Sequence, residues 1–182
     1  MVMPPRLRRF ALTAHVMSTV GWLGAVVVFL ALAVIGLSSQ DAQTVRGTYL
    51  VMDPAARLVL VPLAFASLLT GLMQSLGTVW GLFRHYWVLV KFVLALVGTA
   101  ILLMHMPSVS RMAVVATSKS SFANLSSERL ELAVHAGGGL LMLLTATVLS
   151  IYKPWGRTAY GLRKQKQRPK RPSRRPPQRL HK

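Results

Sequence analysis

Four long stretches without a charged residue dominate this chain. Residues 10–37 contain no Asp, Glu, Lys or Arg, and residues 58–83, 92–110 and 132–152 repeat the pattern. A hydrocarbon core of about 30 Å takes roughly 20 helical residues to cross, and without water every backbone N–H and C=O must bond internally. We therefore predict four transmembrane helices, over residues 10–37, 57–82, 86–107 and 130–152.

The rest of the chain leaves no room for a separate soluble domain. It has 182 residues, 53% of them hydrophobic, and no cysteine, which excludes disulfides, thiolate metal sites and covalent haem attachment. Short connections favour an up-and-down arrangement, so we expect an all-α integral membrane protein, a four-helix antiparallel bundle. The connecting segments are expected to be an amino terminus (1–9), an external loop (38–56), a turn (83–85), a second external loop (108–129) and a tail (153–182).

The basic residues set the expected orientation. With a cytoplasmic amino terminus, seventeen of the 22 Lys and Arg residues fall on the cytoplasmic side, and five share the outside with all four acidic residues. This is a strong positive-inside bias. We expect both termini to face the cytoplasm.

The tail from residue 163 onward is basic, rich in proline and poor in apolar residues. Such a segment buries too little surface to offset its ordering entropy, which predicts disorder. It is either a topology anchor or a binder of anionic headgroups, and with no aromatic residue to stack a base we expect no specific nucleic-acid partner. The expected lipid contacts are Arg163, Lys164, Lys166, Arg168, Lys170, Arg171, Arg174 and Arg175.

Small residues mark expected helix contacts, because helices in lipid associate through close packing. They include Gly77 with Gly81 and the three glycines at 137–139. The same faces are compatible with a homo-oligomer or a partner membrane protein. Pro62 is expected to kink the second helix.

Ionisable residues inside predicted spans are functional-site candidates by default. His15 lies about 9 Å beyond Arg9 at the helical rise of about 1.5 Å per residue, and Gln74 reaches a similar depth on the second helix. His85 and Lys91 flank the start of the third helix. We expect His15, Gln74, His85 and Lys91 to line one pocket on the cytoplasmic side.

Two helices are expected to turn a polar or aromatic face inward. Trp22 lies near the middle of the first helix, seven residues after His15, so the two share one face. Lys91 and His105 are fourteen residues apart and share a face of the third helix in the same way. These faces indicate a functional interior without naming its ligand.

A second pair of histidines lies nearer the outside. His105, late in the third helix, and His135, early in the fourth, fall at similar depths on neighbouring antiparallel helices. One imidazole from each of two helices is what a bis-histidine haem b requires, and it is also the placement of ordinary interfacial histidines. Glu131, four residues before His135, is placed either to hold that imidazole by a hydrogen bond or to complement the helix dipole.

Met104 and Met106 flank His105 and raise a copper alternative. Thioether and imidazole ligands suit Cu(I). Adjacent helical residues point about 100° apart, however, which works against convergence of all three side chains. Methionine is also a common packing residue.

Two strings of this sequence resemble known membrane families. The first helix carries HVMSTVGWLG, with His15, Trp22 and Gly24, and the third carries WVLVKFVLALVGTAILLMH, with Lys91 and His105. The His-then-Trp-x-Gly pattern resembles that of copper-resistance CopD-like proteins and of the HemJ type of protoporphyrinogen oxidase. Residues 12–154 as a whole resemble a family of small uncharacterised bacterial four-helix membrane proteins related to both.

These resemblances imply a bacterial plasma-membrane location and different activities. Resemblance to HemJ implies haem b, with His15 and Lys91 as functional residues of a haem-dependent oxidoreductase. Resemblance to CopD-like proteins implies copper handling. The four-helix family implies no activity, which leaves a non-catalytic membrane partner or assembly protein as a further alternative. No nucleophile triad, phosphate loop or paired carboxylate falls inside the predicted spans, which disfavours hydrolytic and nucleotide-driven chemistry.

Overall fold

The computed structural model describes residues 3–77, 83, 85–118, 125–152, 156, 158 and 162–163. Most of these residues are helical, and no β-strand occurs among them. Arg163 is described and exposed. Several sequence-predicted residues lie outside the described ranges, namely Gly81, Lys164, Lys166, Arg168, Lys170, Arg171, Arg174 and Arg175.

The described residues form a succession of long helices. In chain order they are α1 (Pro5–Ser38), α2 (Ala42–Ala55), a π-helical turn (Ala56–Leu60), α3 (Val61–Gly77), α4 (Tyr86–Thr117) and α5 (Ser126–Tyr152). Four helical segments are long and apolar enough to cross a membrane: α1, the continuous segment Ala42–Gly77, α4 and α5.

Segment 38–56 is largely helical, although its charged residues predict an external loop. The Asp41 carboxylate caps α2 by accepting hydrogen bonds from the backbone N–H of Gln43 and Thr44, which satisfies donors that a helix start otherwise leaves unpaired. Val45, Tyr49 and Met52 are buried along one face of α2. The charged residues of this segment disfavour its placement inside the hydrocarbon core. They do not prevent it from forming an amphipathic helix outside that core.

Helix α4 likewise continues past residue 107, where the sequence pattern predicts the start of the second external loop. Pro107 lies inside the helix, and the following turns bury Val109, Met112 and Ala116. This spacing of three and four residues is a helical stripe, and it packs in the same apolar cluster as the buried face of α2. A helix of 32 residues is about 48 Å long, which exceeds a hydrocarbon core of about 30 Å.

The segment before Pro62 is a π-helical turn. The backbone N–H of Val61 bonds to the carbonyl of Ala56, one residue further back than in an α-helix. Pro62 has no N–H and its ring crowds the preceding turn, so a local irregularity at this position has a clear cause. The turn is where α2 passes into α3.

The four long helical segments (α1, Ala42–Gly77, α4 and α5) run alternately in opposite directions. The Met3 backbone N–H, just before α1, bonds to the carbonyl of Gly77 at the end of α3, and Lys91 near the start of α4 reaches Ser150 near the end of α5. Helix α1 packs against α3 and α5, and α4 packs against α2, α3 and α5. We call the end where α1 and α4 begin the proximal end, and the end where they finish the distal end.

Trp22 is part of the apolar core, as its inward face predicts. Its side chain is 4% exposed and packs in one cluster with Val26, Phe29 and Ala33 of the same helix. The glycines at 137–139 differ from the expectation of a helix contact, since a Cβ added to any of them would meet nothing within 4 Å. Within the described residues these glycines face open space, and close approaches are made at other glycines, including Gly36 and Gly98.

At Gly36 the first and last helices are joined by a side chain. Arg129, early in α5, donates from Nε to the Gly36 carbonyl at 2.9 Å and from Nη2 to the carbonyls of Gly36 and Leu37. The last carbonyls of a helix have no partner within it, and a cation there also complements the helix dipole. Tyr49 of α2 packs directly on Gly36.

Candidate metal centre

Three metal-binding side chains meet at the distal end where α4 crosses α5. His105 lies on α4, and Glu131 and His135 lie four residues apart on α5. Residues at this spacing are on the same face of a helix. One ligand atom from each of the three residues falls within a set whose members all lie within 4.8 Å of one another.

The contacts within this group are close. His105 Nε2 lies 3.1 Å from Glu131 Oε1, and the centroids of the His105 and His135 rings are 3.6 Å apart with the ring planes inclined by 37°. The Glu131 side chain is 44% exposed and that of His105 is 19% exposed. The group is therefore open on the carboxylate side.

Both imidazoles are held from behind by the backbone. His105 Nδ1 is 2.8 Å from the carbonyl oxygen of Ile101, and His135 Nδ1 is 2.8 Å from the carbonyl oxygen of Glu131. A carbonyl oxygen only accepts, so both Nδ1 atoms carry a proton and donate it. His105 Nε2 faces Glu131, and the lone pair of each Nε2 is left for a ligand, as in protein metal sites, where the other ring N–H is commonly donated to a carbonyl or carboxylate.

The contact between His105 and Glu131 requires a proton or a metal ion between the two atoms. When the imidazole is neutral and Nδ1 holds the proton, Nε2 and the carboxylate oxygen are both acceptors. They approach to 3.1 Å only with a proton or a metal ion between them. Two imidazole nitrogens and one carboxylate oxygen make a ligand set that zinc and copper ions use, with metal–ligand distances of about 2.0–2.2 Å and one coordination position left open.

The same geometry does not fit haem between His105 and His135. Axial imidazoles bind iron from opposite faces of a planar macrocycle, with roughly 4 Å between their ligating nitrogens if each bond is about 2 Å, as for other imidazole–metal bonds. In this structure the two rings stack on each other at 3.6 Å, so no macrocycle passes between them. The two rings therefore lie closer together than a bis-histidine haem site requires.

The methionines beside His105 do not converge with its ring. Met104 is 75% exposed, whereas Met106 packs against the apolar core. Each helical residue is rotated by about 100° from the one before it, so residues two apart point to nearly opposite sides of the helix. This explains why the two methionines are separated. The side chains of His105, Met104 and Met106 therefore do not converge, and the side chains that meet His105 are those of Glu131 and His135.

A polar network lies about one turn beyond His105. Arg57 donates from Nε to both Asp53 carboxylate oxygens at 3.1 Å and from Nη2 to the Ser110 hydroxyl at 2.6 Å. Ser110 is also 2.7 Å from Asp53 Oδ1. This network joins α2, the π-helical turn and α4. The i,i+4 spacing of Asp53 and Arg57 is readable from the sequence, but the contribution of Ser110 is not.

The other candidates lie at the proximal end. His15 Nδ1 lies 3.1 Å from Thr70 Oγ1, whose hydrogen is donated to the Ala66 carbonyl at 2.6 Å, so the histidine is the donor. Its ring packs on Gly71, where an added Cβ would come within 3.0 Å of Cε1. Sequence reasoning missed Thr70 as the partner that fixes His15.

The expected pocket of four proximal residues is spread over two helix pairs. His15 bonds between α1 and α3, while Lys91 donates to Ser150 between α4 and α5, with Nζ 4.8 Å from the centroid of Trp87. His85 stands at the start of α4, with its ring centroid 6.3 Å from that of Trp87.

Comparison with known proteins adds no assignment. No protein-family model, curated protein or solved structure matches this chain. The arguments for function therefore depend on the site itself.

Proposed function

We propose that this chain is a multi-pass membrane protein that handles a divalent transition-metal ion, bound by His105 and His135 through Nε2 and by the Glu131 carboxylate. The observation that carries the proposal is the 3.1 Å approach of His105 Nε2 to Glu131 Oε1, with both imidazoles fixed by backbone carbonyls. Such an approach places two Lewis bases where a cation stabilises both.

Zn²⁺ and Cu²⁺ are the ions that this ligand set suits best. Imidazole nitrogen suits both ions, and the absence of cysteine removes the thiolates that favour Cu(I). Three protein ligands leave a position for water or an incoming ligand, which is typical of sites that exchange or activate rather than of closed structural sites. A binding role in metal uptake, delivery or storage follows from this open position.

The distribution of basic residues supports an orientation in which both termini face the cytoplasm. The proposed metal site, at the distal end, then lies at the outer boundary of a bacterial plasma membrane. The exposed Glu131 carboxylate faces an aqueous supply of ions in this arrangement. We infer that the ion enters from the outside.

Metal binding is tested by calorimetric titration of Zn²⁺ and Cu²⁺ into the purified full chain in detergent, with an affinity tag free of histidine. We expect one ion per chain. Loss of a residue that only orients a metal ligand lowers metal affinity by up to roughly 100-fold. His105→Ala and His135→Ala each remove a ligand itself, so we expect each to lower the affinity by more than that. His85→Ala is the matched control and is expected to leave the affinity unchanged.

Two results would contradict the proposal. Equal affinity in His105→Ala and His85→Ala would show that any bound ion is held elsewhere. A haem absorption band in the protein purified after haem-supplemented expression, lost in His105→Ala, would replace the metal ion by haem b. That outcome would require the two stacked rings to separate from their positions in this structure.

A further inference from the structure

Helices that start at opposite ends of the bundle begin differently. At the distal end, Asp41 caps α2 and Glu128 lies in the first turn of α5, where a negative charge complements the partial positive charge of a helix start. Helix α1 starts at the proximal end and has neither an acidic residue in its first turn nor a side-chain cap. Its first turns instead carry Arg6, Arg8 and Arg9, which we call the basic start of α1.

The basic start of α1 takes no part in the packing of the bundle. Every residue from 4 to 10 is exposed, and the first buried residue of α1 is Ala11. Among the described residues, none of the three guanidinium groups makes a hydrogen bond or an ion pair. Their positive charges are therefore not neutralised by any described residue.

The acidic residues of the chain are too far along the bundle to serve as partners. All four lie toward the distal end, in α2 and at the start of α5. Positive charges near the start of a helix also oppose the helix dipole. An anion supplied from outside the chain would therefore stabilise the basic start of α1.

The chain just before these arginines is held against the neighbouring helix. The Met3 backbone N–H donates to the Gly77 carbonyl of α3 at 3.3 Å. The Met3 side chain packs on Gly77, where an added Cβ would overlap it. The basic start of α1 is therefore anchored to the bundle and presents its charges at fixed positions.

Two apolar side chains are exposed on the same turns of the helix. Leu7 is 44% exposed and Phe10 is 72% exposed. Residues three apart are neighbours on a helix surface, so Leu7 with Phe10 and Arg6 with Arg9 form two adjacent sides. An apolar side beside a basic side is typical of helical segments that lie at a membrane surface.

We propose that the basic start of α1 binds the anionic headgroups of phospholipids in the leaflet at the proximal end. Basic residues next to a transmembrane helix are attracted to anionic lipids, and an arginine donates two parallel hydrogen bonds to a phosphate group. Leu7 and Phe10 suit contact with acyl chains beside those headgroups, which favours a lipid surface over an acidic soluble protein.

The test measures the lipid preference of the full chain by native mass spectrometry after delipidation in detergent. Phosphatidylglycerol, which is anionic, and phosphatidylcholine, which has no net charge, are added in equal amounts, and the ratio of the retained lipids is measured. One basic residue near an anionic surface changes binding by about fivefold. We expect phosphatidylglycerol to be preferred, with a loss of about fivefold in Arg9→Gln and a larger loss when all three arginines become glutamine.

A triple variant in the basic tail is the matched control. Arg171→Gln, Arg174→Gln and Arg175→Gln together remove the same number of positive charges as the triple variant of α1. We expect this control to keep most of the preference for phosphatidylglycerol. Replacing the three arginines of α1 by lysine preserves their charges and is also expected to keep most of it.

Three results would overturn the proposal. They are no preference for phosphatidylglycerol in the wild-type protein, an unchanged preference in Arg9→Gln, and a loss in the tail variant equal to or larger than that in the triple variant of α1. Helicity and elution volume are measured for every variant, and Arg9→Gln decides the question if the triple variant of α1 does not fold. Distal metal binding is not a readout, so the outcome is independent of the proposed function.

Discussion

The two ends of this bundle are built from the same kind of helix but carry opposite chemistry. At the distal end, Asp53 pairs with Arg57 and Glu131 meets His105. At the proximal end, Lys91 is held by a hydroxyl and an aromatic ring instead of a carboxylate. All four acidic residues lie toward the distal end, so only that end offers carboxylate side chains. The apolar helices provide the same scaffold for both.

The sharpest way to break this contrast is to reverse the charge at the metal centre. Glu131→Lys places an ammonium beside two imidazoles, so we expect Zn²⁺ affinity to fall by more than about 100-fold, beyond the effect of losing an outer contact. Lys91→Gln changes the charge at the other end and is expected to leave Zn²⁺ affinity within about twofold, because distant sites act independently. Calorimetric titration measures both, and comparable losses would show that the ends are coupled.

The contact between α1 and α5 offers a second test at the distal end. Arg129→Met removes the donors to Gly36 and Leu37, and hydrogen bonds from a charged group contribute about 1.5–3 kcal/mol. We expect a loss of about 2 kcal/mol in the free energy of unfolding, measured by detergent-induced unfolding. The exposed Arg111→Met is the control, with a change within about 0.5 kcal/mol. Equal effects would show that Arg129 is not a structural contact.

Gly36 tests how tightly the distal end is packed. A Cβ at this position would lie 2.8 Å from the Tyr49 hydroxyl oxygen, and the Tyr49 side chain is 1% exposed. Overpacking of this kind costs about 1–3 kcal/mol, so we expect Gly36→Ala to destabilise the fold by that amount. Gly24→Ala, where nothing lies within 4 Å, is expected to be neutral or stabilising by up to about 1 kcal/mol. Thermal unfolding distinguishes them, and a stable Gly36→Ala would contradict the close contact.

The smallest effect concerns Asp41, outside the membrane-spanning part of the distal end. Hydrogen bonds from the Thr44 hydroxyl, and then from the backbone N–H groups of Thr44 and Gln43, lower the pKa of the Asp41 carboxyl. A lowered folded-state pKa gives stability that is present above the unfolded pKa and is lost as the pH falls through the folded value. We expect Asp41→Ala to be destabilised at neutral pH, with a smaller difference in acid. Thermal unfolding of the wild-type and Asp41→Ala proteins between neutral and acidic pH measures this difference in stability. A difference that does not change with pH would contradict the role of the Asp41 carboxylate as a cap.

The sequence was sufficient for four long apolar helices and for the inward position of Trp22, because uncharged length and helical spacing are local properties. The helical character of 38–56 and of the chain beyond Pro107 was not predictable by charge counting, since amphipathic helices outside the hydrocarbon core carry charges. His105 and His135 were correctly expected at similar depths. The close stacking of their rings, and the direct contact of Glu131, depend on how α4 and α5 cross, which no local pattern specifies.

The hydrogen bonds from Arg129 to the end of α1 span 93 residues of sequence. A protein chain is synthesised from its amino terminus, so α1 is made well before Arg129, which donates to its last carbonyls. During biogenesis its final carbonyls must therefore rely on water or lipid headgroups until α5 arrives. A chain truncated before residue 126 would retain three of the four long apolar helices. It would lose the hydrogen bonds by which Arg129 joins α5 to the end of α1.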